Sequence, residues 1–214
     1  MLVLCDVKDT AGKPISGVLV DIWETDSHGF YDVQYSDRAG PDQRAVLSSD
    51  DAGEFYFKAI VPVPYPIPHD GPVGKLLVDL NRHCYRPSHM HFMFKKSGYD
   101  PLITYVSNLC AMRPWILIDQ NSHNRALYLR GDPFEYSDAV FGVKSSLVVD
   151  LTTVSKAQAE QYGVKEGDKL LTYNFVLVTE AETAALRDEE ARKVMASQGR
   201  KMKLWKGLPV VDVD

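Results

Sequence analysis

Gly17-Val-Leu-Val-Asp-Ile-Trp23 alternates strictly, with Val18, Val20 and Ile22 on one face of an extended chain and Leu19, Asp21 and Trp23 on the other. A period of two is that of a strand with one side against a core. Gly17 before it and Ser27-His28-Gly29 after it are turn chemistry. Working outward, residues 2–7 form a β-prone run, and 44–48 and 54–58 read as the arms of a hairpin about Asp51-Ala-Gly53, with Phe55 and Phe57 on one face. Further strands are expected at 89–94, 102–104, 126–129, 146–151 and 169–178. A short helix is expected at 76–81. Ser155-x-x-Gln158 is a capping box opening a short helix that Gly163 ends, and Thr179-x-x-Glu182 opens a longer one to about Ser197. The predicted class is mainly β: an antiparallel β-sandwich with short helices and a C-terminal helix.

Composition agrees. The 214 residues are 45% hydrophobic and 25% charged, which excludes a disordered tail, a collagen repeat and a coiled coil. With 24 basic and 29 acidic residues the net charge is −5 and no basic block occurs, which argues against nucleic acid or an anionic membrane as partner. Cys5, Cys84 and Cys110 are odd in number and far apart, so neither a disulfide framework nor a zinc ribbon is expected. The opening apolar run of five residues is too short for a secretory signal, and no stretch has the length of a membrane span. The expected location is the cytoplasm.

Two segments stand apart. Residues 62–68 hold four prolines, which forbids a helix and a central strand and predicts a stiff, extended loop around Tyr65. Residues 105–125 have no period and carry Cys110, Trp115 and His123. Joined directly, 102–104 and 126–129 would make one continuous strand.

Chemistry concentrates in Arg86-Pro-Ser-His-Met-His91. On a strand, His89 and His91 point the same way and present two imidazoles on one face, which suits a metal ion. The third donor is open. The next glutamate is Glu135, too far for a cupin-like pattern; Asp100, in the Gly98–Pro101 turn, is the nearby carboxylate for a ferrous two-histidine site; and Cys84 has no second cysteine for zinc. The other hard donors are the 11 tyrosines, among which Tyr31 follows Gly29-Phe and Tyr65 is fixed between Pro64 and Pro66.

These residues bring a family into view. The chain resembles the intradiol ring-cleavage dioxygenases in Gly12-Lys-Pro-Ile-Ser-Gly17, Val20-Asp-Ile-Trp-Glu-Thr-Asp26, Gly29-Phe-Tyr31, Pro64-Tyr-Pro-Ile-Pro68, Asp70-Gly-Pro-Val-Gly74 and Arg86-Pro-Ser-His-Met-His91. The resemblance implies one Fe(III) per chain, ligated by Tyr31, Tyr65, His89 and His91, with Arg86 meeting the substrate and Ile67 and Pro68 lining the ring pocket. Two phenolates and a hydroxide balance the charge of ferric iron, so such a site can be buried. The implied substrates are O2 and a small aromatic diol: hydroxyquinol, giving maleylacetate, or catechol, giving cis,cis-muconate. The diol displaces one tyrosinate, placed at Tyr31 rather than Tyr65, and the leaving phenolate takes a proton. Arg86 then stabilises negative charge on the ring. The Tyr65–Gly74 run is closer to the hydroxyquinol branch.

Two features depart from the family. Its N-terminal helical segment, which supplies the usual homodimer interface, is missing from this sequence, and 105–125 is an extra stretch that reads as an unspliced intron of 63 nucleotides or as a loop insertion. The expected layout is a catalytic sandwich at 1–178 and a C-terminal helix and tail at 179–214. Three readings compete with an active enzyme of this kind: a transthyretin-like binding module, an inactive truncated homologue and a ferrous extradiol enzyme.

Overall fold

A computed structural model of the chain describes residues 1–105, 125–140, 143–197, 199, 202–205 and 208–211. Its first half contains β1 (Leu2–Lys8), β2 (Leu19–Trp23), β3 (Arg44–Ser48), β4 (Glu54–Lys58), β5 (Tyr65–Pro66), α1 (Pro72–Asp79), β6 (Tyr85–Arg86), β7 (His89–Lys95) and β8 (Tyr99–Tyr105). The second half contains β9 (Arg125–Leu129), β10 (Val148–Val149), β11 (Thr152–Thr153), α2 (Lys156–Tyr162), β12 (Lys169–Thr179), α3 (Glu180–Ser197), β13 (Met202–Trp205) and β14 (Leu208–Val211).

Two sheets face one another. One runs β11-β12-β1-β4, with β8 also paired to β12; the other runs β10-β9-β7-β2-β3. The β2 alternation holds, since Val18, Val20 and Ile22 are buried while Leu19 is half exposed. From the facing sheet come Val3, Cys5, Val7, Leu171, Phe175 and Leu177. Phe94 and Phe175 meet at 4.5 Å between ring centroids at the centre of this core. A smaller cluster, Leu2, Val154 and Leu170, lies beneath α2.

The sandwich is mixed rather than purely antiparallel, because β1 runs parallel to β12 and β10 parallel to β9. The expected hairpin does not form. β3 pairs with β2 and β4 with β1, so the turn between them carries the chain from one sheet to the other. The turn chemistry is nonetheless as read: Asp50 Oδ1 accepts from the Ala52 and Glu54 amides. Gly53 takes φ +75 so close to β1 that a Cβ would stand 2.5 Å from the Val7 carbonyl, which only glycine allows. Local turn residues thus specify a reversal of direction but not the sheet that receives it.

Three further boundaries moved. The helix expected at 76–81 is α1, which starts at Pro72, the first helical position, where a missing N–H is harmless. The 146–151 strand shrinks to β10, preceded by a 3-10 turn at Ser145–Leu147 and followed by the separate β11. β8 extends back to Tyr99 through Pro101, which an edge strand tolerates. Both capping boxes form as read, at Ser155 and at Thr179.

β8 and β9 belong to different sheets. Most of the 105–125 insertion lies outside the described residues. Among the described residues no helix is long and apolar enough to cross a membrane.

Candidate metal centre

The site begins with the pleat of β7. Met90, Phe92 and Phe94 point into the core, so His89 and His91 point to the other side, where they are also buried. Their Nε2 atoms stand 3.0 Å apart. His89 Nδ1 lies 2.6 Å from the Pro87 carbonyl, which can only accept, so Nδ1 carries the proton and Nε2 presents a lone pair. His91 is held differently. It lies opposite Trp23 in the β2–β7 pairing, and the indole stacks on the imidazole at 4.9 Å and 12°. Its buried Nδ1 has no hydrogen-bond partner among the described residues.

The tyrosines come from two loops. Tyr65 sits in the β5–β6 ribbon directly opposite Arg86. Tyr31 follows a turn in which Asp26 Oδ1 accepts from the His28 and Phe30 amides. Its own amide donates to Gln34 Oε1, while the next residue, Asp32, accepts a bidentate pair from Arg44 at 2.6 Å. The two phenol oxygens lie 2.7 Å apart, and Tyr31 Oη is 3.4 Å from His91 Nε2. Tyr65 is buried and Tyr31 partly exposed.

Four donors from three segments, the Tyr31 turn, the Tyr65 ribbon and β7, therefore converge. Spacings of 2.7, 3.0 and 3.4 Å are the size that donors take around one shared first-row ion, for which metal–nitrogen bonds are about 2.1 Å in the case of zinc. The electrostatics agree. Burial, aided by the Arg86 charge, pushes His89 down to about 4. Burial, then His89, then Arg86 push His91 down to about 2, so both imidazoles are neutral at pH 7, as metal ligation requires. Two facing, neutral Nε2 atoms 3.0 Å apart form a pair that a cation completes. Burial pushes the Tyr31 phenol well above its usual range, with Tyr65 adding to the shift; a bound cation reverses that preference by stabilising the phenolate. The residues present thus fit a hard, highly charged metal ion.

Arg86 completes the arrangement. Its Nη1 donates to Tyr65 Oη at 3.1 Å, and its Nε and Nη2 donate to Asp138. Burial, the largest single influence, would raise the Asp138 carboxyl, but the Arg86 hydrogen bonds and charge, the Val140 amide and the Tyr128 hydroxyl together outweigh it and hold it low. Sequence reasoning missed Asp138, Tyr128 and Trp23. No spacing rule links Arg86 to a residue 52 positions away. Trp23 left one trace, an aromatic on the outward face of an alternating strand.

The other expected residues are spread more widely. Ile67 is half-buried and donates its amide to the Cys84 carbonyl, while Pro68 is exposed. Asp100 is in the opposite sheet, and no metal-binding group of three or more His, Cys, Asp or Glu side chains occurs among the described residues. Cys5 and Cys84 are free thiols. Cys110, Trp115 and His123 lie outside the described residues.

Comparison with known proteins points to one family. A protein-family model described as Dioxygenase matches residues 1–109. An intradiol ring-cleavage dioxygenase of Aspergillus niger is 56% identical over all of this chain and 59% of its own length. A 6-chlorohydroxyquinol 1,2-dioxygenase of Cupriavidus pinatubonensis is 42% identical over 65% of this chain and 43% of its own length. The crystal structure of hydroxyquinol 1,2-dioxygenase from Pseudomonas putida superposes with a TM-score of 0.69 at 35% identity, over 84% of this chain and 56% of that one. The chain thus spans about half the length of the relatives it matches. All three relatives are named as dioxygenases, so the reading as a non-enzymatic binding module finds no support.

Proposed function

The chain belongs to the intradiol ring-cleavage dioxygenase family, and from that premise we propose that it cleaves an aromatic ortho-diol between its two hydroxylated carbons with O2. One observation carries this reading: two phenol oxygens from separate segments meet the two imidazole nitrogens of β7 in a chain of contacts of 2.7, 3.4 and 3.0 Å. Tyr31, Tyr65, His89 and His91 would hold one Fe(III). The ferric ion would supply a Lewis acid that binds the diol and withdraws charge from it.

The chain's own residues do the rest. Tyr31, the more exposed of the two phenols, leaves as the diol binds and takes a proton from a diol hydroxyl, while Tyr65 stays as a ligand. Arg86, cationic at any working pH and mostly buried, sits beside Tyr65, where charge develops. The sheet face beneath the histidines and the stacked Trp23 keep water from that side.

Hydroxyquinol is the proposed substrate and maleylacetate the product, supported by the Tyr65–Gly74 run and by relatives named for hydroxyquinols. Catechol is the second reading, favoured by matches to catechol 1,2-dioxygenases. Residues 105–125 are proposed to be the reading of an unspliced intron; absence of their codons from mature transcripts is the expected outcome, and uniform retention would overturn it.

The test is the visible spectrum of iron-loaded protein together with oxygen uptake on a diol panel. A red-brown tyrosinate-to-iron band and uptake with hydroxyquinol are expected. A colourless protein carrying one iron per chain would overturn the ligand set.

A further inference from the structure

We propose that Asp138 is the positioning residue for Arg86 and that Tyr128 locks Asp138 in turn; the proposal rests on the dioxygenase reading above. Arg86 ends a two-residue strand, and an arginine there has a long, flexible stem with no local reason to point in one direction. Asp138 removes that freedom. Its side chain is fully shielded from solvent, and that of Arg86 is 8% exposed. Nε donates to Oδ1 at 3.1 Å and to Oδ2 at 3.2 Å, and Nη2 donates to Oδ2 at 3.2 Å. One edge of the planar guanidinium is thereby committed to the carboxylate. That commitment turns Nη1 toward Tyr65 Oη, 3.1 Å away.

Asp138 is itself immobilised. Tyr128, on β9, donates its hydroxyl to Oδ2 at 3.0 Å, and the Val140 amide donates to Oδ1 at 2.8 Å. The Ala139 amide donates to the Tyr85 carbonyl at 3.1 Å, so the segment that carries Asp138 is tied to the strand that carries Arg86. The Tyr128 ring also lies 5.6 Å from that of His89. One chain of contacts therefore runs from β9 through Tyr128, Asp138 and Arg86 to the phenol oxygen of Tyr65. A buried ion pair is a poor source of net stability. This one ends on a proposed ligand and fixes a cation where negative charge must be met, and a site of that kind tolerates about 0.5 Å of misplacement.

The test is Asp138→Asn, which keeps the volume but replaces one accepting oxygen with an amide that cannot accept from arginine. In the iron-loaded full chain the expected result is a kcat lowered by roughly 100-fold, a KM changed by less than about threefold, unchanged iron content and a shifted tyrosinate-to-iron band. A crystal structure of the metal-free variant should show Arg86 Nη1 beyond hydrogen-bonding distance of Tyr65. Wild-type kcat with an unmoved band, or Arg86 still on Tyr65 in the variant crystal, overturns the proposal. If Asp138→Asn does not fold, Tyr128→Phe decides: a kcat lowered severalfold at full iron content supports the chain of contacts, and an unchanged kcat and band overturn it. Failure of the underlying reading looks different, because the wild-type protein then lacks the band and the oxygen uptake, while the metal-free crystal comparison still reports on Arg86.

Discussion

Gly29 and Tyr65 approach so closely that a Cβ on the glycine would stand 2.7 Å from the tyrosine Cβ, and Gly29 also takes φ +83. Two independent constraints thus demand glycine two residues before Tyr31. Together they let the turn that carries one phenol lie against the ribbon that carries the other.

Gly29→Ala is therefore expected to push the two tyrosine loops apart. The left-handed backbone alone costs about 1–2 kcal/mol, and about 2–4 °C of melting temperature per kcal/mol is typical for a chain of this size. A thermal melt should fall by several degrees, and iron bound per chain should fall with it. A variant with wild-type melting and full iron would show that the contact does not position Tyr31.

The two histidines predict an acid-side loss of stability in the metal-free protein. Burial, first among the causes, holds His89 and His91 neutral down to about 4 and about 2, whereas an unfolded chain protonates both near about 6.5. Between those values the unfolded state binds more protons, so stability rises with pH there and is lost as pH falls. Urea unfolding at pH 7, 6 and 5 should show this slope. A His89→Gln/His91→Gln variant should flatten it, and an undiminished slope would assign the acid sensitivity to other groups.

Glu24 makes the opposite prediction. It is 4% exposed, and its Oε2 has no hydrogen-bond partner among the described residues. Burial raises its carboxyl to about 8. The folded state prefers the neutral acid, so a penalty accumulates as pH rises from the ordinary carboxyl value, about 4.3, and is complete above pH 8. Glu24→Gln should leave stability at pH 4 nearly unchanged and raise the melting temperature at pH 8.5. A fall at pH 8.5 would mean that the ionised carboxylate is stabilised by a contact that the amide cannot make.

Much of the local structure was legible in the chain. The alternation at Val18–Ile22, the capping boxes at Ser155 and Thr179 and the turn at Asp50–Gly53 all form as read. Each depends on residues a few positions apart, where periodicity and side-chain to backbone bonds act directly. The hairpin failed because strand pairing is a long-range choice. β3 and β4 each found a better partner, one in each sheet, and no local residue encodes that preference.

Local sequence dictates which residue types lie on one face. His89 and His91 share a side of β7 because the pleat repeats every two residues, and Tyr65 is stiffly held because prolines flank it. Long-range packing alone brings Tyr31, Tyr65 and both imidazoles together, lays Trp23 over His91 and sets Asp138 against Arg86. Side-chain direction is set by local backbone geometry, whereas the meeting of distant segments is set by how two sheets bury their apolar faces, a property of the whole chain.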